Sequence, residues 1–197
     1  MGTTSRINRS MHNRSYPCTI LVLVAALSLA AGARGEIKLA AKEPVLLTSA
    51  GQSADVQILK ALFTRSKVEA KTLPLAKPGD LEGVKTLVVA VGGSSKGLGA
   101  AGIDAEKEQA RVKALLAKAR ELKLPVIAMH IGAEAKRGEL SDGLFRLVAA
   151  SAAQIVAVKD GDKDGFLTKT AAAHGVPMHT VEKLAAVAEP IKAIFGK

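Results

Sequence analysis

The segment from Thr86 to Asp104, TLVVAVGGSSKGLGAAGID, constrains the fold more than any other part of the chain. It opens with a wholly apolar, mostly β-branched run and then stops abruptly in a stretch of glycines and serines. A helical pattern starts just beyond that stretch. A central parallel strand delivers its chain to the ligand-binding edge of an open α/β sheet in this way. We therefore expect a buried strand over 86–91, a loop over 92–102 and a helix over 105–122.

Apolar runs and amphipathic helical patterns alternate along the rest of the chain. Strands are expected at residues 44–50, 68–75, 124–131, 153–158 and 178–181, the second at an edge because Pro74 cannot donate to a ladder. Ser53, Asp104 and Ser141 are expected to cap the helices that follow them, and Pro190 to kink or break a last helix over 182–195. The alternation predicts an α/β fold. Its form is a three-layer α/β/α sandwich with a mostly parallel five- or six-stranded sheet, flavodoxin-like or Rossmann-like.

The first 35 residues have the pattern of a signal peptide. Three arginines and no acid precede an apolar run at residues 19–31, which fits the roughly 7–15 residues of a signal-peptide core and is short of the ~18 of a membrane span. Two A-x-A-like sites place the mature N-terminus near Arg34 or Glu36; an uncleaved anchor is the alternative. We predict a signal peptide over 1–35, a linker over 36–43 and one α/β domain over 44–197. The mature protein is then periplasmic or secreted, with no membrane span.

Loss of the first 35 residues changes the composition. The chain has 28 basic and 18 acidic residues and a net charge of +10, and residues 1–35 hold four of the arginines and none of the acids. The mature charge is then about +6. The only cysteine and tyrosine are lost too, so the mature domain folds without disulfides. Basic residues spread over helix faces, without stacking aromatics, argue against a nucleic-acid partner.

Four polar loops are expected to meet at the carboxyl edge of the sheet, where this fold class binds ligands. They span residues 49–53, 92–102, 130–141 and 159–165. Serine hydroxyls, backbone amides and a lysine could hold a carboxylate or phosphate oxygen there, although a loop without a ligand is the simpler alternative. The candidate ligand-binding residues are Gly51, Gln52, Ser53, Gly93, Ser94, Ser95, Lys96, His130, Arg137 and Ser141.

Two of these loops contain partial cofactor or metal motifs. Gly97 to Gly102 reads GxGxxG, but the preceding strand ends five residues too early for a dinucleotide fingerprint. Asp160 to Gly165 reads DxDxDG, yet Ala171 stands where a calcium loop needs a bidentate glutamate, so the acids are expected to cap the next helix. A flavin is disfavoured because the mature chain has no tryptophan or tyrosine. We expect no cofactor and no metal.

His130 is the candidate acid–base residue, because it ends a buried strand at the expected site. It could serve in catalysis, in ligand binding or in structure alone. Arg137 lies in the loop after His130, next to Lys136. Two adjacent basic residues in a loop are more typically exposed to solvent as a solvated pair than used to bind an anion. No nucleophile elbow accompanies His130.

Several of these segments resemble one family of bacterial exported proteins, classed only as a domain of unknown function. The resemblance rests on residues 48–53 (TSAGQS), 92–104 (GGSSKGLGAAGID), 130–132 (HIG), 136–142 (KRGELSD) and 163–169 (KDGFLTK). It covers most of the mature domain and implies an exported α/β domain, without implying an activity.

The hypothesis we favour is a periplasmic module that binds a small polar or anionic molecule. A hydrolase or transferase using His130 as acid or base is one alternative. The other is a non-catalytic protein of the cell envelope that docks a partner through the basic face of the helix over 105–122.

Overall fold

The computed structural model describes residues 1–2, 37 and 39–197, so the predicted signal peptide and most of the predicted linker lie outside the described residues. Residues 37 and 39–197 belong to one compact unit. This unit holds a six-stranded, all-parallel sheet. Its strands are β1 (Val45–Ala50), β2 (Ala70–Thr72), β3 (Thr86–Val91), β4 (Val126–His130), β5 (Gln154–Val158) and β6 (Met178–Val181).

The strands are ordered β2-β1-β3-β4-β5-β6 across the sheet. The first five follow the flavodoxin-like order rather than the Rossmann order, and β6 extends the sheet beyond β5. The central strands β1, β3, β4 and β5 are buried along their whole length. Their apolar, partly β-branched composition is what a strand covered on both faces requires. The α/β sandwich predicted from the sequence is confirmed.

Helices cover both faces of the sheet. They are α1 (Asp55–Arg65), α2 (Ser95–Ala100), α3 (Ala105–Glu121), α4 (Glu139–Ala149), α5 (Phe166–Ala173) and α6 (Ala188–Phe195). One apolar cluster joins the sheet to α3, α4 and α5, and the other joins it to α1 and α6. Alternate residues of each strand feed the two clusters, as Val89 and Ala90 of β3 do, because side chains alternate across a strand.

The chain leaves β1 and β3 toward opposite faces. The β1–α1 loop (residues 51–54) leads to α1 on one face, and the β3–α2 loop (residues 92–94) leads to α2 and α3, of which α3 packs on the other face. Because β1 and β3 are neighbours, this is the topological switch point of the sheet, where a crevice opens at the carboxyl ends of the strands.

Several local expectations need correction. The loop expected over 92–102 contains α2, which starts because the Ser94 hydroxyl accepts from the Gly97 amide at 3.0 Å. Ser141 is not an N-cap, since α4 already begins at Glu139. Ser53 also lies outside the N-cap, which Ala54 occupies, although its hydroxyl accepts from the Asp55 amide at 3.1 Å.

Other local expectations hold. Asp104 caps α3 by accepting from the Lys107 amide at 2.7 Å, and β2 is an edge strand but only three residues long. The last helix breaks, as expected, although the break precedes Pro190. A 3-10 turn over Leu184–Val187 leads directly into α6. Pro190 lies in the first turn of α6, where a backbone amide has no partner within the helix, so proline costs no helical hydrogen bond there.

Candidate functional site

The loops predicted to meet at the carboxyl edge do meet there. Gln52 and Gly93 form an isolated antiparallel bridge, and the Ser94 amide donates to the Gly51 carbonyl at 2.8 Å. The Gly93 amide donates to the Ser141 hydroxyl at 2.8 Å, which connects the β3–α2 loop to α4. Arg137 donates to the Gly161 carbonyl at 2.6 Å, which connects the β4–α4 loop (residues 131–138) to the β5–α5 loop (residues 159–165).

An open cleft of about 500 Å³ lies at the switch point, between the β1–α1 loop and α2. We call it the switch-point cleft. Four of the predicted ligand residues line it, and no aspartate or glutamate does. Its lining is Gln52, Ser53, Ala54, Val56, Gln57, Pro74, Ser94, Lys96, Gly97, Ala100 and Ala101. Lys96 is exposed, and among the lining residues it is the one with an ionisable side chain.

A buried ion pair holds the wall of this cleft. Glu108 of α3 is inaccessible to solvent and accepts from the Gly51 amide at 2.8 Å and from the Gln52 side chain at 3.0 Å. Arg111 pairs with Glu108 at 2.8 Å and donates to the Ser49 and Ala76 carbonyls. Gln52 is thereby held at a φ of 55°, in the left-handed region that residues other than glycine rarely adopt.

The same contacts determine the ionisation of Glu108. Burial alone would raise the pKa of its carboxyl, but hydrogen bonds from Arg111, the Gly51 amide and Gln52 outweigh burial and lower that pKa below its ordinary value. Glu108 is therefore an ionised residue that organises the β1–α1 loop.

His130 lies at the carboxyl edge but outside the switch-point cleft. It is 1 % exposed, and its Nδ1 lies 2.9 Å from the Val91 carbonyl oxygen. A carbonyl can only accept, so Nδ1 carries the hydrogen and Nε2 presents its lone pair. Burial is the largest effect on the imidazole, and it lowers the pKa; the charge of Arg137 lowers the pKa further. The hydrogen bond to Val91 and the charges of Asp55 and Asp142 raise the pKa, but the net shift is downward. The side chain is a buried neutral acceptor.

Arg137 is a structural cation rather than a residue of the cleft. Its guanidinium, 9 % exposed, makes two hydrogen bonds to Asp142, at 2.6 and 3.0 Å, and pairs with Asp164 at 3.1 Å. It also stacks on the Phe166 ring, 4.5 Å from the centroid. The bonds to Asp142 raise the pKa of the guanidinium above its ordinary value. The expected solvated pair with Lys136 is therefore wrong for Arg137.

The structure separates the predicted ligand residues into two groups. Gln52, Ser53, Ser94 and Lys96 line the switch-point cleft, while His130, Arg137 and Ser141 do not. Gly51 and Gly93 lie behind its wall, where their backbones touch so closely that a Cβ at Gly51 would overlap the Gly92 carbonyl. Ser95 is exposed at the start of α2 and does not line the cleft. The Ser141 hydroxyl is engaged with Gly93 and with the Lys136 carbonyl, at 2.8 Å each.

The two partial motifs serve local structure. Asp162 accepts from the Leu167 amide at 2.7 Å and from the Thr168 hydroxyl, and Asp164 accepts from the Phe166 amide at 3.1 Å, so these acids cap α5. Gly97 lies inside the short helix α2 rather than at a strand end, as a dinucleotide fingerprint would need. Within residues 39–197, no group of three or more His, Cys, Asp or Glu side chains could hold a metal ion.

Sequence reasoning missed Asp55, Gln57, Glu108 and Arg111. Gln57 lines the cleft one helical turn after Ser53. Glu108 and Arg111 share the buried face of α3 with Val112 and Leu115, and a charged i,i+3 pair on an apolar face was the signal available. Asp55 is 5 % exposed at the first position of α1, where an acid is ordinarily a solvated partner of the helix dipole.

The family model described as "Domain of unknown function (DUF6305)" matches residues 42–195. The chain belongs to this family. The match covers the sheet, all six helices and both walls of the switch-point cleft. The resemblance to a domain of unknown function, expected from the loop motifs, is confirmed, and the family description states no activity.

The other comparisons add little. A search of solved structures matches a GDSL-like lipase from Bacteroides thetaiotaomicron VPI-5482 with 10 % sequence identity and a TM-score of 0.34. The match spans 69 % of this chain and 66 % of the lipase chain, just under two thirds of it. A search of curated protein sequences finds no significant match. Among the described residues, no helix has the length and apolar character needed to cross a membrane.

Proposed function

We propose that this DUF6305 domain is a binding module that holds a small polar or anionic molecule in the switch-point cleft. The observation that carries the proposal is the lining of that cleft, where Gln57, Ser94 and Lys96 offer hydrogen bonds and no carboxylate is among the lining residues. The position agrees with it, since open α/β sheets bind ligands at the switch point. Amide, hydroxyl and ammonium donors are the groups that hold carboxylate or phosphate oxygens.

Lys96 supplies the charge. The test is titration calorimetry of the full-length protein with succinate and with inorganic phosphate. We expect Lys96→Gln to weaken binding of the preferred anion about 10- to 100-fold. This fold-change corresponds to a hydrogen bond to a charged group, which contributes roughly 1.5–3 kcal/mol. Lys113→Gln is the matched control, because Lys113 is exposed on α3 and does not line the cleft. Equal losses in the two variants, or no binding of either anion by the wild-type protein, would contradict the proposal.

The two alternatives have less support from the geometry. A hydrolase using His130 would need its Nε2 at a substrate, but His130 is buried and outside the switch-point cleft. A partner docking on α3 through a basic face would meet mixed charge, since Lys107 pairs with Asp104 and Lys118 with Glu121. Both remain hypotheses.

We also propose that the protein is exported and matures near residue 34 or 36. The support is the acid-free, arginine-bearing N-terminus followed by an apolar run and small residues. Intact-mass analysis of protein recovered from the cell envelope and the medium tests this. A full-length chain confined to the cytoplasm would contradict it.

A further inference from the structure

Two deeply buried acceptor atoms at the carboxyl edge have no hydrogen-bond partner among the residues that the structure describes. They are Oδ2 of Asp55, whose residue is 5 % exposed, and Nε2 of His130, whose residue is 1 % exposed. A buried polar atom without a partner costs about 1–3 kcal/mol, and more for a charged group. Native proteins retain such atoms chiefly where a ligand, an ion or a water completes them. Neither atom is used by the proposed function, because neither side chain lines the switch-point cleft.

The chemistry of the missing partner follows from these two atoms. A carboxylate oxygen and the lone pair of a neutral imidazole both accept hydrogen bonds, so whatever completes them must donate. Its charge follows from Asp55, for which no ion pair is present among the described residues. The guanidinium of Arg137, whose charge acts on His130, is already committed to Asp142 and Asp164. A cationic donor would therefore satisfy the carboxylate, whereas an anion or a pure acceptor would be repelled.

Glycines surround the two atoms. A Cβ at Gly92 would lie 3.2 Å from Asp55 Oδ2 and 3.0 Å from the Ser53 hydroxyl, and a Cβ at Gly132 would lie 3.6 Å from the same Oδ2. A Cβ at Gly161 would lie 2.9 Å from His130 Nε2. These glycines follow the neighbouring strands β3, β4 and β5. Protein atoms already fill these positions, since the Cβ at Gly132 would lie 2.6 Å from Lys136 and the Cβ at Gly161 would lie 2.5 Å from the Gly132 carbonyl. Glycine therefore lets the three loops pack closely around the two atoms.

We propose that Asp55 and His130 form a buried subsite for the protonated amino group of a small primary amine. Ammonium hydrogens would be donated to Asp55 Oδ2 and His130 Nε2. Access requires the β5–α5 loop, which covers Nε2, to move away from β4. The bonds of Arg137 to Gly161 and Asp164 are the contacts that must then break. The inference is independent of the anion site, since neither Asp55 nor His130 lines the switch-point cleft.

Methylammonium is the simplest probe, and tetramethylammonium is its control because it has the same charge and no N–H donor. The full-length protein is melted in 0.2 M of each chloride salt. We expect methylammonium to raise the melting temperature by about 2–5 °C over tetramethylammonium, the shift for ligand at several times Kd on a domain of this size. Asp55→Asn should abolish this difference. Asp160→Asn, which changes an exposed acid at the same edge, should keep it.

A second measurement reads the site directly. The ¹⁵N resonance of His130 Nε2 should shift on addition of methylammonium and stay unchanged with tetramethylammonium. Equal melting temperatures in the two salts would overturn the proposal and assign the two atoms to a buried water. A difference that survives Asp55→Asn would overturn it too.

Discussion

At the scale of single residues, burial at the carboxyl edge decides which side chains can ionise and which can reach a ligand. His130 illustrates this, because a strand-end histidine is an obvious acid–base candidate in sequence. In the folded protein it is enclosed between Val91, Phe145 and Gly161 and is kept neutral. Lys96, by contrast, is exposed and lines the switch-point cleft.

The neutrality of His130 predicts a pH dependence of stability. Its pKa is lowered in the folded protein, mainly by burial, so the unfolded chain binds a proton first as the pH falls. The contribution of neutral His130 to the free energy of unfolding is present above the ordinary histidine pKa of about 6.5. It is lost as the pH falls from about 6.5 toward the pKa of His130 in the folded protein. We expect His130→Asn to reduce the loss of unfolding free energy between pH 7 and 5, measured by urea denaturation.

The exposed His174 supplies the control for that experiment. His174→Asn should leave the slope between pH 7 and 5 unchanged. If His130→Asn and His174→Asn have the same slope as the wild-type protein, then His130 is not held neutral.

At the scale of elements, α2 shows how a glycine-rich segment becomes ordered. Ser94 caps it, and Leu98 is its buried anchor. Gly97 lies so close to the β1–α1 loop that a Cβ there would overlap the Gln52 carbonyl oxygen, while a Cβ at Gly99 would meet nothing within 4 Å. The glycines of this helix therefore have different roles, one in packing and one at an open surface.

This contrast predicts opposite effects for two substitutions in one helix. Gly97→Ala should destabilise the protein by about 1–3 kcal/mol, because a backbone carbonyl cannot move aside easily. Gly99→Ala should stabilise it by about 0.5–1 kcal/mol, the usual gain of alanine over glycine in a helix interior. Denaturant unfolding of both variants measures the difference, and equal effects would mean that α2 does not pack closely on Gln52.

At the scale of the whole molecule, Glu108 and Arg111 connect three separate parts of the chain. Glu108 binds the β1–α1 loop. Arg111 donates to the Ser49 carbonyl at the end of β1 and to the Ala76 carbonyl in the segment before β3. The pair thus joins α3 to β1 and to the wall of the switch-point cleft. Its removal should affect both stability and binding.

Glu108→Gln should cost about 3–5 kcal/mol of unfolding free energy at pH 7, because it leaves Arg111 without its charge partner in a mostly buried site. The folded pKa of Glu108 is lowered, so its contribution is present above the ordinary glutamate pKa of about 4.3 and is lost as the pH falls through the folded pKa. The variant should therefore lose less stability than the wild-type protein between pH 5 and 3. Glu106→Gln, at an exposed position of the same helix, should match the wild-type protein, and similar losses in both variants would contradict this role.

The sequence by itself determined the layers, the parallel strands and the edge at which polar loops collect. It could do so because a β-branched run such as β3, or a helical periodicity such as that of α3, indicates which face of the element is buried. That indication does not depend on which other element covers the face. It also placed Gln52, Ser53, Ser94 and Lys96 at that edge, where they line the switch-point cleft, because residues that follow parallel strands lie at the carboxyl edge of the sheet.

Only the tertiary structure decided which of those residues share a cleft and which are enclosed. Ser141 looks like a helix cap in sequence, yet its hydroxyl binds a loop 48 residues away. Asp55 looks like a solvated first-turn acid, yet it is buried against Gly92 and Gly132 of two neighbouring loops. Burial and hydrogen bonding of this kind depend on residues brought together from distant parts of the chain, and no local pattern records them.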